Sequence, residues 1–158
     1  ARLERQKEQG EDLVSRAWQS HGKAHDPAQF ARNRQLAREV LESGDIESMA
    51  LVAAVMARVH VGPMRFSAGP GDPADNLDQW SDEMLAWTIA ACSLGADCGP
   101  RSRLADDACM WTGVCDAKSV DEVVRKSTGD ALHAETQLRR RDEIVRAIRA
   151  RDWAALGL

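Results

Sequence analysis

Apolar residues recur along this chain mainly at three- and four-residue intervals, broken by residues that start and stop helices. Residues 3 to 19 set Leu3, Leu13, Val14 and Trp18 among many charges, which predicts a peripheral helix within 1–20 with one narrow apolar stripe. His21-Gly22 breaks it, and Asp26-Pro27 supplies an N-cap followed by proline at the first helical position. A helix is expected from about Pro27 to Ser43, turning Phe30, Ala37, Val40 and Leu41 inward. Gly44 ends it and Asp45 caps the next, Ile46 to about His60, which is apolar throughout Met49–Ala57. That run marks it as the expected centre of the domain.

The pattern then changes. Between positions 62 and 79 stand Gly62, Pro63, Gly69, Pro70, Gly71 and Pro73, too many breakers for a helix, so a long Gly/Pro-rich loop is expected. Helical spacing resumes from Trp80 to Leu94, with Met84, Leu85, Trp87, Thr88 and Ile89 forming a broad apolar face ended by Gly95. Ser102 opens a short helix that Gly113 stops. The run Ser119-Val-Asp-Glu122 is a capping box for a helix through Val120, Val123 and Val124. Gly129-Asp130 introduces the last long helix, with Leu132, Leu138, Ile144, Val145 and Ile148 as its apolar positions. Arg151-Asp152-Trp153 adds one further cap and a terminal turn. Three joints of one kind, Gly44-Asp45, Gly129-Asp130 and Arg151-Asp152, each end one element and cap the next. The expectation is an all-α single domain over 1–158, with six to eight helices packed as irregular hairpins.

Composition agrees with that class. Alanine occurs 25 times, whereas Val, Ile and Thr together number 19 and tyrosine is absent. A net charge of -4 argues against a protein that lives on phosphate contacts, so no nucleic-acid partner is expected. The longest apolar run is too short to span a bilayer.

Cys92, Cys98, Cys109 and Cys115 form C-x5-C-x10-C-x5-C. Zinc knuckles space their thiolates two to four residues apart, and no histidine lies nearby, so two disulfides are expected and no metal. The local pairing, Cys92–Cys98 with Cys109–Cys115, closes each cysteine pair on its own helix end. The crossed pairing, Cys92–Cys109 with Cys98–Cys115, would clamp two helices together. Disulfides imply an oxidising compartment. The chain opens at Ala1 without an initiator Met, which reads as a trimmed form, and arginine outnumbers lysine 17 to 4, the usage of GC-rich bacterial genomes. A periplasmic or secreted bacterial protein is the expectation.

Candidate chemistry is sparse. His21 and His25 lie in a loop-like stretch with no third ligand, and His133-Ala-Glu135 lacks the P-C-x-x-C that would complete a zinc deaminase site. No nucleophile elbow or phosphate loop occurs. No cofactor is expected. Arg139, Arg140, Arg141, Arg146, Arg149 and Arg151 form a basic segment better explained as a solvated face or by intramolecular salt bridges than as a nucleic-acid or lipid patch, with the acidic stretch Asp72, Asp75, Asp78, Asp82 and Glu83 as an internal counter-charge. What remains is Met64, Arg65 and Phe66 on a proline-braced loop near Trp80, either a cover lying over the core or a set of anchors suited to a protein interface with an acidic rim for a basic partner. The expected function is therefore a non-enzymatic protein-binding module of the bacterial cell envelope, of the inhibitor or immunity type. The alternative is a small periplasmic hydrolase using Asp72, Asp75 or Asp78 with a helix-borne histidine.

The stretch Trp87-Thr-Ile-Ala-Ala-Cys-Ser-Leu-Gly-Ala-Asp-Cys-Gly99, with Cys109 and Gly113-Val-Cys115, is similar to a pattern in uncharacterised exported bacterial helical proteins. The ending Ile148-Arg-Ala-Arg-Asp-Trp-Ala-Ala-Leu-Gly-Leu158 is similar to the ends of the same proteins. The resemblance covers the C-terminal half. It implies a helical fold and an exported location, and it brings no activity or site residue with it.

Overall fold

A computed structural model describes residues 27–51, 53–61 and 77–158. Among them are seven α-helices and no strand. In chain order these are α1 (Pro27–Ser43), α2 (Ile46–Leu51), α3 (Ala53–Val61), α4 (Leu77–Leu94), α5 (Arg103–Thr112), α6 (Val120–Thr128) and α7 (Ala131–Ala150), followed by a 3-10 turn, Ala154–Leu156. The expected helix within 1–20, the Asp26 cap, His21 and His25 lie outside the described residues.

The joints work as the sequence implies. Asp45 Oδ1 accepts from the Ser48 amide at 3.2 Å, Asp130 Oδ1 from Leu132 at 2.9 Å and Asp152 Oδ1 from Ala155 at 3.1 Å. Each satisfies a first-turn N–H that has no partner within its helix. Ser119 Oγ accepts from the Glu122 amide at 3.2 Å. Glu122 reaches back one residue further than a capping box requires, to the Lys118 amide at 2.8 Å. At the end of α4 the amides of Gly95 and Ala96 donate to the carbonyls of Cys92 and Ala91, a Schellman closure that needs the positive φ of Gly95. Arg151 makes the same closure at the end of α7, with φ 55°, a conformation in which its Cβ is strained.

Three of the expectations are corrected. The acidic end of the long loop is helical from Leu77, because no proline or glycine follows Asn76 to stop it. The segment from Ile46 is buried, with Met49, Val55, Met56 and Ala57 sealed in the core, yet the helix with most neighbours is α4. Among the described residues α4 packs on α2, α3, α6 and α7, whereas α3 lies between α1 and α4. Side-chain size explains the exchange: Ala86, Ala90 and Ala91 give α4 low relief on more than one side, so several helices approach it closely. Trp87 and Ile89 fill the space between. Leu132, expected inward, is 76% exposed in the first turn of α7.

The disulfides are Cys92–Cys98 and Cys109–Cys115, the local pairing. Each spans a helix C-terminus and the chain returning from it. Such bonds belong in a non-reducing compartment. No described helix is long and apolar enough to cross a membrane.

Candidate functional site

Helices of this period bury a stripe at i, i+4, i+7 and i+11, and on α7 that stripe reads His133, Gln137, Arg140 and Ile144. Its first three members are polar. They face the first turns of α4, where Asp82 and Glu83 provide the complement.

Glu83 is 6% exposed, and its carboxylate pairs with the Nε/Nη2 edge of the Arg140 guanidinium. Nη2 donates to Oε1 at 2.7 Å and Nε to Oε2 at 3.0 Å. Trp87 Nε1 donates to the same Oε1 at 3.0 Å, and Glu143 accepts from Arg140 Nη1 at 3.3 Å. Burial alone pulls the Arg140 pKa down. The hydrogen bonds and charge of Glu83, joined by Glu143, more than offset this and hold it above the ordinary arginine value. One residue away, burial likewise pulls on Arg141, and Asp142 and Asp121 raise it. Two cations of the basic segment are thus spent inside the fold, one of them on the acidic stretch.

Above this pair lies a second polar group. His133 Nε2 meets Asp82 Oδ2 at 2.9 Å, the Gln137 amide donates to Asp82 Oδ1, and Gln137 Nε2 lies 3.2 Å from His133 Nε2. With Nε2 protonated and donating to Asp82, the imidazole keeps Nδ1 as its acceptor. Gln137 is only 4% exposed, and its Oε1 has no hydrogen-bond partner among the described residues. Turning the amide over would offer Oε1 to His133 but press it against Asp82, acceptor to acceptor, so Asp82 fixes the orientation. An unpaired buried carbonyl of this kind costs about 1–3 kcal/mol.

These groups wall a cleft of about 700 Å3 between α4 and α7. Gln79, Asp82 and Glu83 line it from α4, and Thr136, Gln137, Arg139, Arg140 and Glu143 from α7. Val61, at the end of α3, completes the wall. The described chain stops at Val61 and resumes at Leu77, so residues lining this cleft flank segment 62–76 on both sides.

Met64, Arg65 and Phe66 lie outside the described residues, as do Asp72 and Asp75. Trp80 and Asp78 fall within α4 with their side chains outside the description, as is that of His60 in α3. All four cysteines are paired. Sequence reasoning assigned Asp82, Glu83 and Arg140 to salt bridging, dismissed His133 and passed over Gln137. The one available signal was the polar stripe on α7. No group of three or more His, Cys, Asp or Glu side chains placed to hold a metal occurs among the described residues. No protein-family model, curated protein or solved structure matches the chain.

Proposed function

We propose that the chain is a non-enzymatic protein-binding module of the bacterial cell envelope, periplasmic or secreted, and an inhibitor or immunity-type partner of another protein. The observation that carries this reading is the α4–α7 cleft. Its floor is locked by the buried Glu83–Arg140 pair, and Val61 and Gln79 on its wall lie on either side of the segment bearing Met64, Arg65 and Phe66. A cleft lined by fixed polar groups suits a docking surface, because little freedom is lost on binding, and the sequence sets Met64 and Phe66 within the segment that joins two of its lining residues. The two disulfides support an oxidising location. The test is capture from the native envelope fraction, read by mass spectrometry, with the wild type against a Met64→Ala/Arg65→Ala/Phe66→Ala variant. The variant is expected to lose the partner and keep its thermal midpoint. Capture at the wild-type level moves the interface elsewhere.

One observation favours the hydrolase reading. Asp72, Asp75 and the side chain of Asp78, the carboxylates of that reading, lie outside the description, but Asp82 of the same acidic stretch stands at hydrogen-bond distance from His133, an arrangement in which a carboxylate orients an imidazole for proton transfer. On that reading the protein hydrolyses p-nitrophenyl acetate faster than free imidazole does, and His133→Gln abolishes the excess. Equal rates remove it.

A further inference from the structure

We infer that the α4–α7 cleft is a receptor for a basic side chain, the ammonium of lysine or guanidinium of arginine, presented by the partner protein. The inference rests on the binding-module reading and gives the partner its chemistry. Gln137 Oε1 carries it: a buried acceptor with no donor among the described residues, on a residue that lines the cleft. Its orientation is imposed by Asp82, so it cannot relieve itself by turning over. What it lacks is an N–H donor.

The neighbouring charges select a cationic donor. Asp82 and Glu143 line the same cleft, and their side chains are 42% and 44% exposed, open to a ligand. Of the two arginines there, Arg140 is already paired with Glu83 and Glu143. Arg139, the other, is exposed and makes no ion pair with a described residue, and one such cation in a cleft that Asp82, Glu83 and Glu143 also line makes a poor anion site. A guanidinium or ammonium carries several donors on one charge, enough to serve a carboxylate and a neutral carbonyl together. A neutral donor would meet Gln137 but gain no charge–charge attraction from Asp82 or Glu143.

The test uses the full, disulfide-intact chain labelled with nitrogen-15. N-acetyl-arginine methylamide and N-acetyl-lysine methylamide are titrated while the Gln137 side-chain amide resonances are followed. Saturable shifts with low-millimolar Kd are expected, the affinity open to a ligand of that size. N-acetyl-norleucine methylamide, which keeps the stem and loses the charge, is expected to leave Gln137 unmoved. Asp82→Asn should weaken arginine binding about tenfold and the exposed Glu143→Gln about threefold, as charge-assisted contacts become neutral. Circular dichroism melts identify any variant that fails to fold, in which case Glu143→Gln decides. Norleucine shifting Gln137 as far as arginine does, N-acetyl-glutamate methylamide binding more tightly than either cation, or no shift by about 50 mM overturns the inference. Failure of the two readings is distinguishable. A partner captured equally by wild type, Asp82→Asn and Glu143→Gln, but lost with the Met64, Arg65 and Phe66 variant, sinks the cation site and keeps the module. Saturable arginine binding without any captured partner does the reverse.

Discussion

Removing the charge of Glu83 tests the floor of the cleft directly. Glu83→Gln preserves the shape and leaves one oxygen for Trp87 or Arg140, but it strands a guanidinium that is 20% exposed beside a carboxylate site only 7% exposed. Breaking a fully buried pair from one side costs about 3–5 kcal/mol. Here Glu143 remains 3.3 Å from Arg140, so part of the charge stays compensated and the expected loss is about 2–3 kcal/mol. For a chain of this size that lowers Tm by about 5–10 °C. Arg140→Met strands the carboxylate instead, at a similar cost. The double variant replaces the pair by an uncharged contact and should recover at least about 1.5 kcal/mol relative to the sum of the two single losses. Urea unfolding followed by far-UV circular dichroism measures all four proteins. A loss below about 1 kcal/mol for Glu83→Gln, or single losses that simply add, would refute the pair as the lock on the floor.

The remaining predictions concern local devices. Ser119→Ala removes the N-cap of α6 and should cost about 1 kcal/mol in urea unfolding, whereas Ser93→Ala, on a half-exposed turn of α4, should cost less than half of that. Arg151→Gly relieves a positive φ and should raise Tm by about 1–2 °C, since the relief exceeds the added backbone entropy of glycine by a fraction of a kcal/mol. Asp116 titrates below the ordinary carboxylate range through its hydrogen bond to Lys126, and Glu122 does so through the Lys118 amide and then Lys126. Both folded pKa values are depressed, so their contribution is complete above roughly pH 5 and fades as pH falls below about 4. Lys126→Met should flatten that acid limb of Tm against pH, and salt should do the same. Under graded reduction, Cys109–Cys115 should open before Cys92–Cys98. Cys115 is exposed, while Cys92 and Cys98 pack against the core, and differential alkylation with mass spectrometry reads the order.

Helix boundaries were legible because their signals are local. Asp45, Ser119 and Asp130 declare a start within four residues, whatever the rest of the chain does. Which helix sits in the middle was not legible. The run Met49–Ala57 announces burial through hydrophobicity, but centrality depends on how many neighbours can approach. That favours the small side chains Ala86, Ala90 and Ala91, whose apolar character is modest. The cleft was hidden for another reason. His133 and Asp82 are 51 positions apart, and each is unremarkable beside its sequence neighbours. Only the polar stripe through His133, Gln137 and Arg140, on a helix otherwise built to bury that face, required a complementary stripe elsewhere.

Each disulfide joins cysteines six positions apart, and this has a consequence for how the chain matures. Closing so short a loop is a fast event that needs only the turn at the end of one helix. A nascent α4 brings Cys92 towards Cys98 before any distant helix has docked, and α5 does the same for Cys109 and Cys115. Native pairing is therefore favoured by proximity from the outset, and crossed partners must be found across a wider span. Oxidation and tertiary assembly become separable steps, so the chain can acquire its bonds as it emerges and fold afterwards without a disulfide isomerase to correct them.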